Sequence, residues 1–379
     1  MSVALRQGSP AELRVERVEG RDAFVQLERE WNAALARGPR DEPMLRHEWL
    51  RAWIENFAPG ATLRTFLARE GKEICAAVPL IETRERGADT CFLPMVTWHT
   101  PSNDHSQRGG VLLGRRGDEG LGLIWDTLVA TPGWDRLRFR DLPTGAPEWQ
   151  LRDRAEQAGY PCGLWVSLRS PYLPLPKAYE AVEQALDGKF RQNLRRRRRR
   201  MAEQGEVQYA LVDAKDGKAL DTALADLFEI EASGWKGREG TAIALRPELV
   251  GFYTQIARDA ARRGALALGT VKLAGKVVAA HLSVVHGKRH YLIKIGYDES
   301  LHEYSPGQQM VSEAIRDSCA RGLQEFDFLG PCMDWKLDWE SQLRTHLWLT
   351  IFRPSRKGKL VHEARYVAWP ILRALTRRS

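Results

Sequence analysis

The chain has 379 residues, 43% of them hydrophobic and 28% charged, which is the composition of a globular protein with room for two domains and a core in each. The first thirty residues carry Glu12, Glu16, Glu19, Asp22, Glu28 and Glu30, and no apolar run approaches the ~18 residues of a spanning helix, so neither a secretory signal nor a membrane span is expected and a cytoplasmic location follows. The net charge is +8, and Lys189, Arg191 and Arg195 to Arg200 alone supply eight positive charges, so a single helix carries the whole bias.

In chain order, a strand from Glu12 to Val18 precedes helical patterns at Ala23 to Leu35 and Leu45 to Phe57. Strands follow at Leu63 to Leu67, Ile74 to Ile81 and Cys91 to Trp98. A polar stretch then places His99, Asn103, Asp104, His105 and Arg108 within eleven residues. Loops of this polarity between apolar strands often carry function, so it is read as an acceptor-binding loop, with a solvated loop as the alternative. No third cluster completes a metal site, and five scattered cysteines without C-x-x-C spacing argue against zinc and against a disulfide framework. Val111 to Leu113, a helix from Gly120 to Val129, a strand at Leu137 to Phe139, a helix from Trp149 to Ala158 and a strand at Leu164 to Leu168 complete the first half. The proline-rich segment Ser170 to Pro176 breaks all periodicity and marks a domain boundary. The expected domains are 1–169 and 170–355, followed by a basic amphipathic segment, 356–379, with Pro370 as a kink.

The second half repeats the plan with a strand at Val207 to Val212 and helices at Leu220 to Ser233 and Pro247 to Arg263. Trp235 and Lys236 end the first of these helices, where the dipole favours a lysine and an acceptor contact is the other reading. Three strands come next, Leu266 to Leu273, Val277 to Val285 and Tyr291 to Ile295, with Gly275-Lys276 and Gly287-Lys288 as hairpin turns. Tyr297-Asp298 and a polar loop lead to Tyr304-Ser305-Pro306-Gly307-Gln308-Gln309, whose Ser and Pro suit an N-cap and first helical turn. Gly322 stops that helix, and Glu325 to Leu329 reads as a short buried strand ending at Gly330, with Asp334-Trp335-Lys336 beyond it.

A helix that starts at a glycine-containing loop offers open backbone N–H groups and a positive dipole end, which is the chemistry a coenzyme A pyrophosphate requires. The order of three strands, loop, helix and strand resembles the GNAT acyltransferase fold. Within it, Tyr297-Asp298, Ser305-Pro306-Gly307, Asp327 with Gly330, and Asp334-Trp335-Lys336 are similar to the CelD-type family, over about Lys189 to Phe352. The doubled plan also resembles the Fem-type aminoacyl transferases. The expected fold class is therefore mixed α/β: two tandem GNAT-like domains, each a twisted mixed sheet with helices on both faces. The first half has no counterpart of Ser305-Pro306-Gly307, which assigns the cofactor, acyl-CoA without a metal, to Ser305, Pro306, Gly307, Gln308 and Gln309.

Acyl transfer to an amine needs a base, oxyanion donors and often an acid for the thiolate. His281, in the middle strand and preceded by alanines, and Asp327, which alternates with Phe326 and Phe328, are the candidate bases, with structural roles as the alternative. Tyr304 is the candidate acid, and Lys336 joins Asp327 at the acceptor side through the resemblance. Asp334 and Lys336 at i, i+2 share one side of an extended segment. Tyr297, Asp298, Asp334, Trp235 and Lys236 are the further expected acceptor contacts, Asp334 through the resemblance.

Six consecutive arginines turn through about 600° at roughly 100° each and so reach every face of their helix. An anionic lipid surface, nucleic acid or a phosphate-bearing cofactor are the partners this charge suits. The expected function is an N-acyltransferase moving an acyl group from acyl-CoA to an amine of an envelope, polysaccharide or lipid precursor, peripheral to the membrane. The alternatives are an aminoacyl-tRNA-dependent Fem-type transferase and a non-enzymatic GNAT pair that anchors to membrane or nucleic acid.

Overall fold

The computed structural model describes residues 12–369. Among these the chain divides into two units, the first built from residues up to 51, 60–167 and the segment from 347, the second from 52–59 and 168–346.

In the first unit, strands β1 (Leu13–Glu19), β2 (Leu63–Glu70), β3 (Glu73–Glu85) and β4 (Met95–His99) run antiparallel in sequence order, and a two-residue β5 (Leu112–Leu113) also pairs with β3. The next strand, β6 (Arg136–Pro143), lies parallel to β4 with Thr97 opposite Arg136. β3 reads Ile-Cys-Ala-Ala-Val-Pro-Leu-Ile through its centre and is buried at every one of those positions, as a strand covered on both faces must be. Phe66, Val78, Trp98, Leu137 and Phe139 of the sheet pack with Leu121, Ile124 and Trp125 of the helix Gly117–Ala130 to form the core.

The second unit follows the same progression. Strands β8 (Val207–Leu211), β9 (Leu266–Leu273), β10 (Lys276–His286) and β11 (Arg289–Tyr297) are antiparallel neighbours, and β12 (Glu325–Asp327) is parallel to β11. The antiparallel hairpins fall where the glycine-lysine turns predict them, and a fourth strand parallel to the third requires a crossover, which the helix Pro306–Ala320 supplies. This helix, the site helix below, covers one sheet face through Val311, Ala314 and Ile315 against Leu292 and Phe326. In each unit the strands pair in both senses, in accord with the expected mixed α/β class.

One local expectation changes, one strand is new, and the C-terminal helix is described only in part. The segment Ser170 to Pro176 is largely strand: β7 (Cys162–Pro174) pairs with β12, placing Leu173 opposite Phe326. Its prolines are tolerated because the ladder uses the Pro171 carbonyl, which accepts from Phe328 N–H, and the Leu175 N–H, which donates to Gln324. A long strand, β13 (Gln342–Phe352), follows the Asp334 segment with no sequence-stretch reading to announce it. At the C-terminal end the helix Arg356–His362 continues as a wider turn over Glu363–Ala368. Pro370 and the amphipathic positions after it, Ile371, Leu372 and Leu375, lie outside the described residues. Among the described residues no helix is long and apolar enough to cross a membrane.

Candidate functional site

Strands β11 and β12 pair over three positions only, Arg289 with Glu325, His290 with Phe326 and Tyr291 with Asp327, and β11 then runs on to Tyr297 without β12 beside it. The pairing of β11 with β10 slips between Leu282 and Ser283, whose partners are Lys294 and Leu292. A bulge of this kind re-aims the residues that follow it. Leu292 and Ile295 therefore both pack toward the site helix, while Gly296 turns to the opposite face, where a Cβ would meet Ile230 at 2.8 Å and Glu231 N at 3.0 Å.

The site helix starts beside this opening. Ser305 does not cap it with its hydroxyl; it holds a left-handed φ of 48°, and its Oγ accepts from Arg197 Nη1 at 2.7 Å. Gln309 N–H donates to the Ser305 carbonyl at 3.2 Å, and no acceptor among the described residues takes the Gly307 or Gln308 N–H. The first turn holds no acidic residue. In the first unit the corresponding helix carries Asp118 and Glu119 in its first turn, with Glu119 paired to Arg116, so its positive end is already neutralised. Gly307 is needed for packing as well as access: a Cβ there would meet the Tyr297 ring at 2.9 Å. The Gln308 and Gln309 side chains are engaged within the protein, Gln308 with Trp339 Nε1 and the Trp335 carbonyl, Gln309 with the Tyr304 carbonyl. Tyr304 is buried with Met201, Val278 and Met310, and Arg200 lies over its ring.

Asp327 is fully buried, accepting from Leu329 N–H at 2.9 Å and from Arg344 Nη1 at 3.0 Å. Lys336 donates to the carbonyls of Leu329 at 2.6 Å and Pro331 at 3.0 Å. Burial pushes its ammonium down to about 8, against the opposing charge of Asp327. Between them they grip the turn at Leu329 and Gly330, whose φ values are 51° and 61°. The segment after it is a helical turn, Asp334–Leu337, where an extended segment was expected. Residues two apart on a helix lie on different sides, so Lys336 is buried and Asp334 is exposed.

His281 is fully buried beneath the site helix's half of the sheet. Its Nδ1 contacts Ser283 Oγ at 2.8 Å and its Nε2 contacts the Tyr209 hydroxyl at 3.3 Å, with the two rings stacked. Burial pushes the imidazole down to about 4, so it is neutral at neutral pH. Asp298 caps the following turn through Ser300 N–H and Oγ, and these bonds hold its carboxyl below the usual range. Lys236 pairs with the buried Glu231 at 2.6 Å, and Trp235 is 46% exposed.

The first unit's polar loop is mostly tied down. Asn103 Oδ1 accepts from the His105 and Ser106 N–H groups, Asp104 pairs with Arg140 at 2.7 Å, and the His99 imidazole is lowered by burial while its Nδ1 meets the Thr100 carbonyl. Arg108 is 2% exposed, its carbonyl accepting from Arg40, which also binds the buried Glu42 and Glu148. Among the described residues no group of three or more His, Cys, Asp or Glu is placed to hold a metal.

Sequence reading missed Arg344, Glu231, Lys294 and the specific role of Arg197. Of the arginine run, Arg195 pairs with Glu183, Arg198 with Glu313 and Arg200 with Glu303, so the helix docks through half of its charge. Glu303 and Glu313, one at each side of the helix start, are legible as partners only once the two helices are seen side by side.

Residues 188–337 match the family model described as an acetyltransferase (GNAT) domain. A comparison with curated proteins found no match. Among solved structures, FemX superposes with a TM-score of 0.60 at 13% identity, covering 92% of this chain and 100% of its own. The C-terminal domain of a protein from Agrobacterium fabrum, provisionally named a lysylphosphatidylglycerol synthetase, gives 0.54 at 10% identity over 90% of this chain and 96% of that one. L-PGS from Bacillus licheniformis gives 0.50 at 10% identity over 84% and 91%. The parallel, diverging pair of strands and the open helix start thus lie within the residues that match the GNAT domain model, in a chain that shares its fold with FemX.

Proposed function

We propose that this protein is an N-acyltransferase that binds an acyl-CoA through the start of the site helix and passes the acyl group directly to an amine of an envelope, polysaccharide or lipid precursor. One observation carries the reading: the Gly307 and Gln308 amides are open at a helix end with no acid in its first turn, and Arg197 is aimed at the same point. A cation at the positive end of a helix is unfavourable alone and favourable once a pyrophosphate sits between them. The acyl chain enters between β11 and β12, where β11 runs on without β12 beside it and its backbone donors on that edge can hold the thioester and its oxyanion.

In this reading Asp327 and Lys336 hold the turn that borders the acceptor. Asp327, through a water, or His281, through Tyr209, takes the amine proton, and Tyr304 protonates the thiolate. Calorimetric titration of the full chain with acetyl-, medium-chain and long-chain acyl-CoA tests the cofactor assignment. Binding of none of them removes it.

The second reading, an aminoacyl-tRNA-dependent transferase of Fem type, is favoured by the FemX-like fold and by Arg196 and Arg199, which are exposed and face no carboxylate closer than the 3.9 Å of Glu203. Phosphate grip by such residues gives a steep salt dependence. Activity destroyed by ribonuclease would favour it over acyl-CoA.

A further inference from the structure

Strand β11 carries a lysine that the reaction above does not use. Lys294 stands opposite Leu282, just past the bulge, on the sheet face away from Leu292, Ile295 and the site helix. Its Nζ lies 5.1 Å from the ring centre of the fully buried Tyr253, on the helix Pro247–Arg262. The only carboxylate of the cluster is Glu231, and both of its oxygens are taken: one binds Lys236 at 2.6 Å, the other accepts from Ile243 N–H at 2.8 Å. No carboxylate among the described residues bonds to Lys294. Two ammonium groups therefore share one fully engaged carboxylate in a mostly apolar setting.

We propose that Lys294, together with Lys236, receives an anionic group of the acyl acceptor, a carboxylate or a phosphate set close to the amine that takes the acyl group. The inference rests on the acyl-transfer reading for the word acceptor, and on the cluster's own chemistry for the anion. A half-buried cation without a counter-ion is costly, and here burial followed by the neighbouring charge of Lys236 pushes the Lys294 ammonium down to about 8, with Glu231 opposing. An arriving anion restores the balance and gains charge-assisted hydrogen bonds. The location fits the chemistry. The bulge sends Lys294 to the face opposite the site helix, so the pyrophosphate and the acceptor's anion sit on opposite sides of β11, with the diverging strands between them. The cluster reaches solvent through Lys236, whose side chain is 25% exposed, and through Trp235.

The test is competitive acetylation of the full chain with limiting acetic anhydride, read by peptide mass spectrometry at Lys294 and Lys236 and normalised to exposed Lys215. The probes are propionate for a carboxylate, monoethyl phosphate for a phosphate, and propionamide as the neutral match. Labelling of Lys294 should fall by about fivefold or more as one of the two anions is titrated to several times its dissociation constant, with no change in propionamide. Which anion protects identifies the class. Absence of protection by both anions, or equal protection by propionamide, overturns the proposal. In Lys294→Met, which keeps the apolar stem, the anion should no longer protect Lys236, while acyl-CoA binding measured by calorimetry stays at the wild-type value. Retained protection of Lys236 in that variant also overturns it. Failure of wild type to bind any acyl-CoA counts against the proposed function, whereas the protection experiment alone decides the anion site.

Discussion

Arg197 and Ser305 are joined by a 2.7 Å hydrogen bond from Nη1 to Oγ, which fastens the arginine helix to the start of the site helix. The bond fixes a guanidinium beside two amides that take no acceptor among the described residues, which is the arrangement the proposed acyl-CoA site needs. If that is its purpose, Arg197→Met should weaken acyl-CoA binding by about tenfold, the ~1.4 kcal/mol expected of one charge-assisted contact, and flatten its salt dependence. Calorimetry at two ionic strengths checks both, and unchanged affinity removes Arg197 from the site.

Gly307→Val should lower acyl-CoA affinity by more than Arg197→Met does. The new side chain both blocks approach to the helix start and pushes on the Tyr297 ring, which a Cβ would already meet at 2.9 Å. Gln324→Ala, beyond the helix, is the control and should bind as wild type. A folded Gly307→Val that binds equally well would place the cofactor elsewhere.

Asp327→Asn and Lys336→Met test the turn at Leu329 and Gly330. Asp327→Asn removes the charge that Arg344 Nη1 meets at 3.0 Å, leaving Arg344 its bond to Glu325 at 2.9 Å, and should cost about 2 kcal/mol, measured by urea unfolding. If Asp327 is also the base, its rate loss should far exceed the loss shown by Lys336→Met. Equal, small rate effects would confine both residues to holding the turn.

Folding stability should decline as the solution is acidified below about pH 6.5. His281 is neutral in the folded protein, with its pKa at about 4, and titrates near 6.5 when unfolded, so the unfolded chain binds more protons between those values. The loss from this residue is at most about 3 kcal/mol and is complete only below pH 4. His290, also lowered well below its ordinary value by burial, adds in the same direction. Urea midpoints of wild type and His281→Gln across pH 4 to 7 should diverge, with the variant showing the shallower dependence. Parallel curves would contradict the buried neutral state. If His281→Ala and Asp327→Asn both keep the wild-type acyl-transfer rate, neither is the base.

The elements that sequence alone resolved are those whose signal is local. The hairpins of β9, β10 and β11 follow from alternation and glycine turns, the site helix from Pro306 and the stop at Gly322, and the repeated plan of the two halves from the order of these patterns. The long strand through Pro171 and Pro174 was hidden because its hydrogen bonds are supplied by partners more than a hundred residues away, and the turn at Asp334 because four residues show no period. Arg108 reads as a loop cation in sequence and is buried in the fold, since only the fold brings Arg40, Glu42 and Glu148 around its loop.

What the sequence by itself determined, then, is the order of the locally patterned elements and the start of the site helix, because turn chemistry and periodicity act over a few residues. The tertiary structure decided which charges meet. Arg197 reaches Ser305 and Arg344 reaches Asp327 across sequence gaps that no local pattern spans, and Glu231 is used up by Lys236, close by in sequence, and by Ile243 N–H. It also decided which face Lys294 occupies, because a bulge shifts the alternation of β11 by one residue and the partner strand, not the sequence of β11, sets where that shift falls.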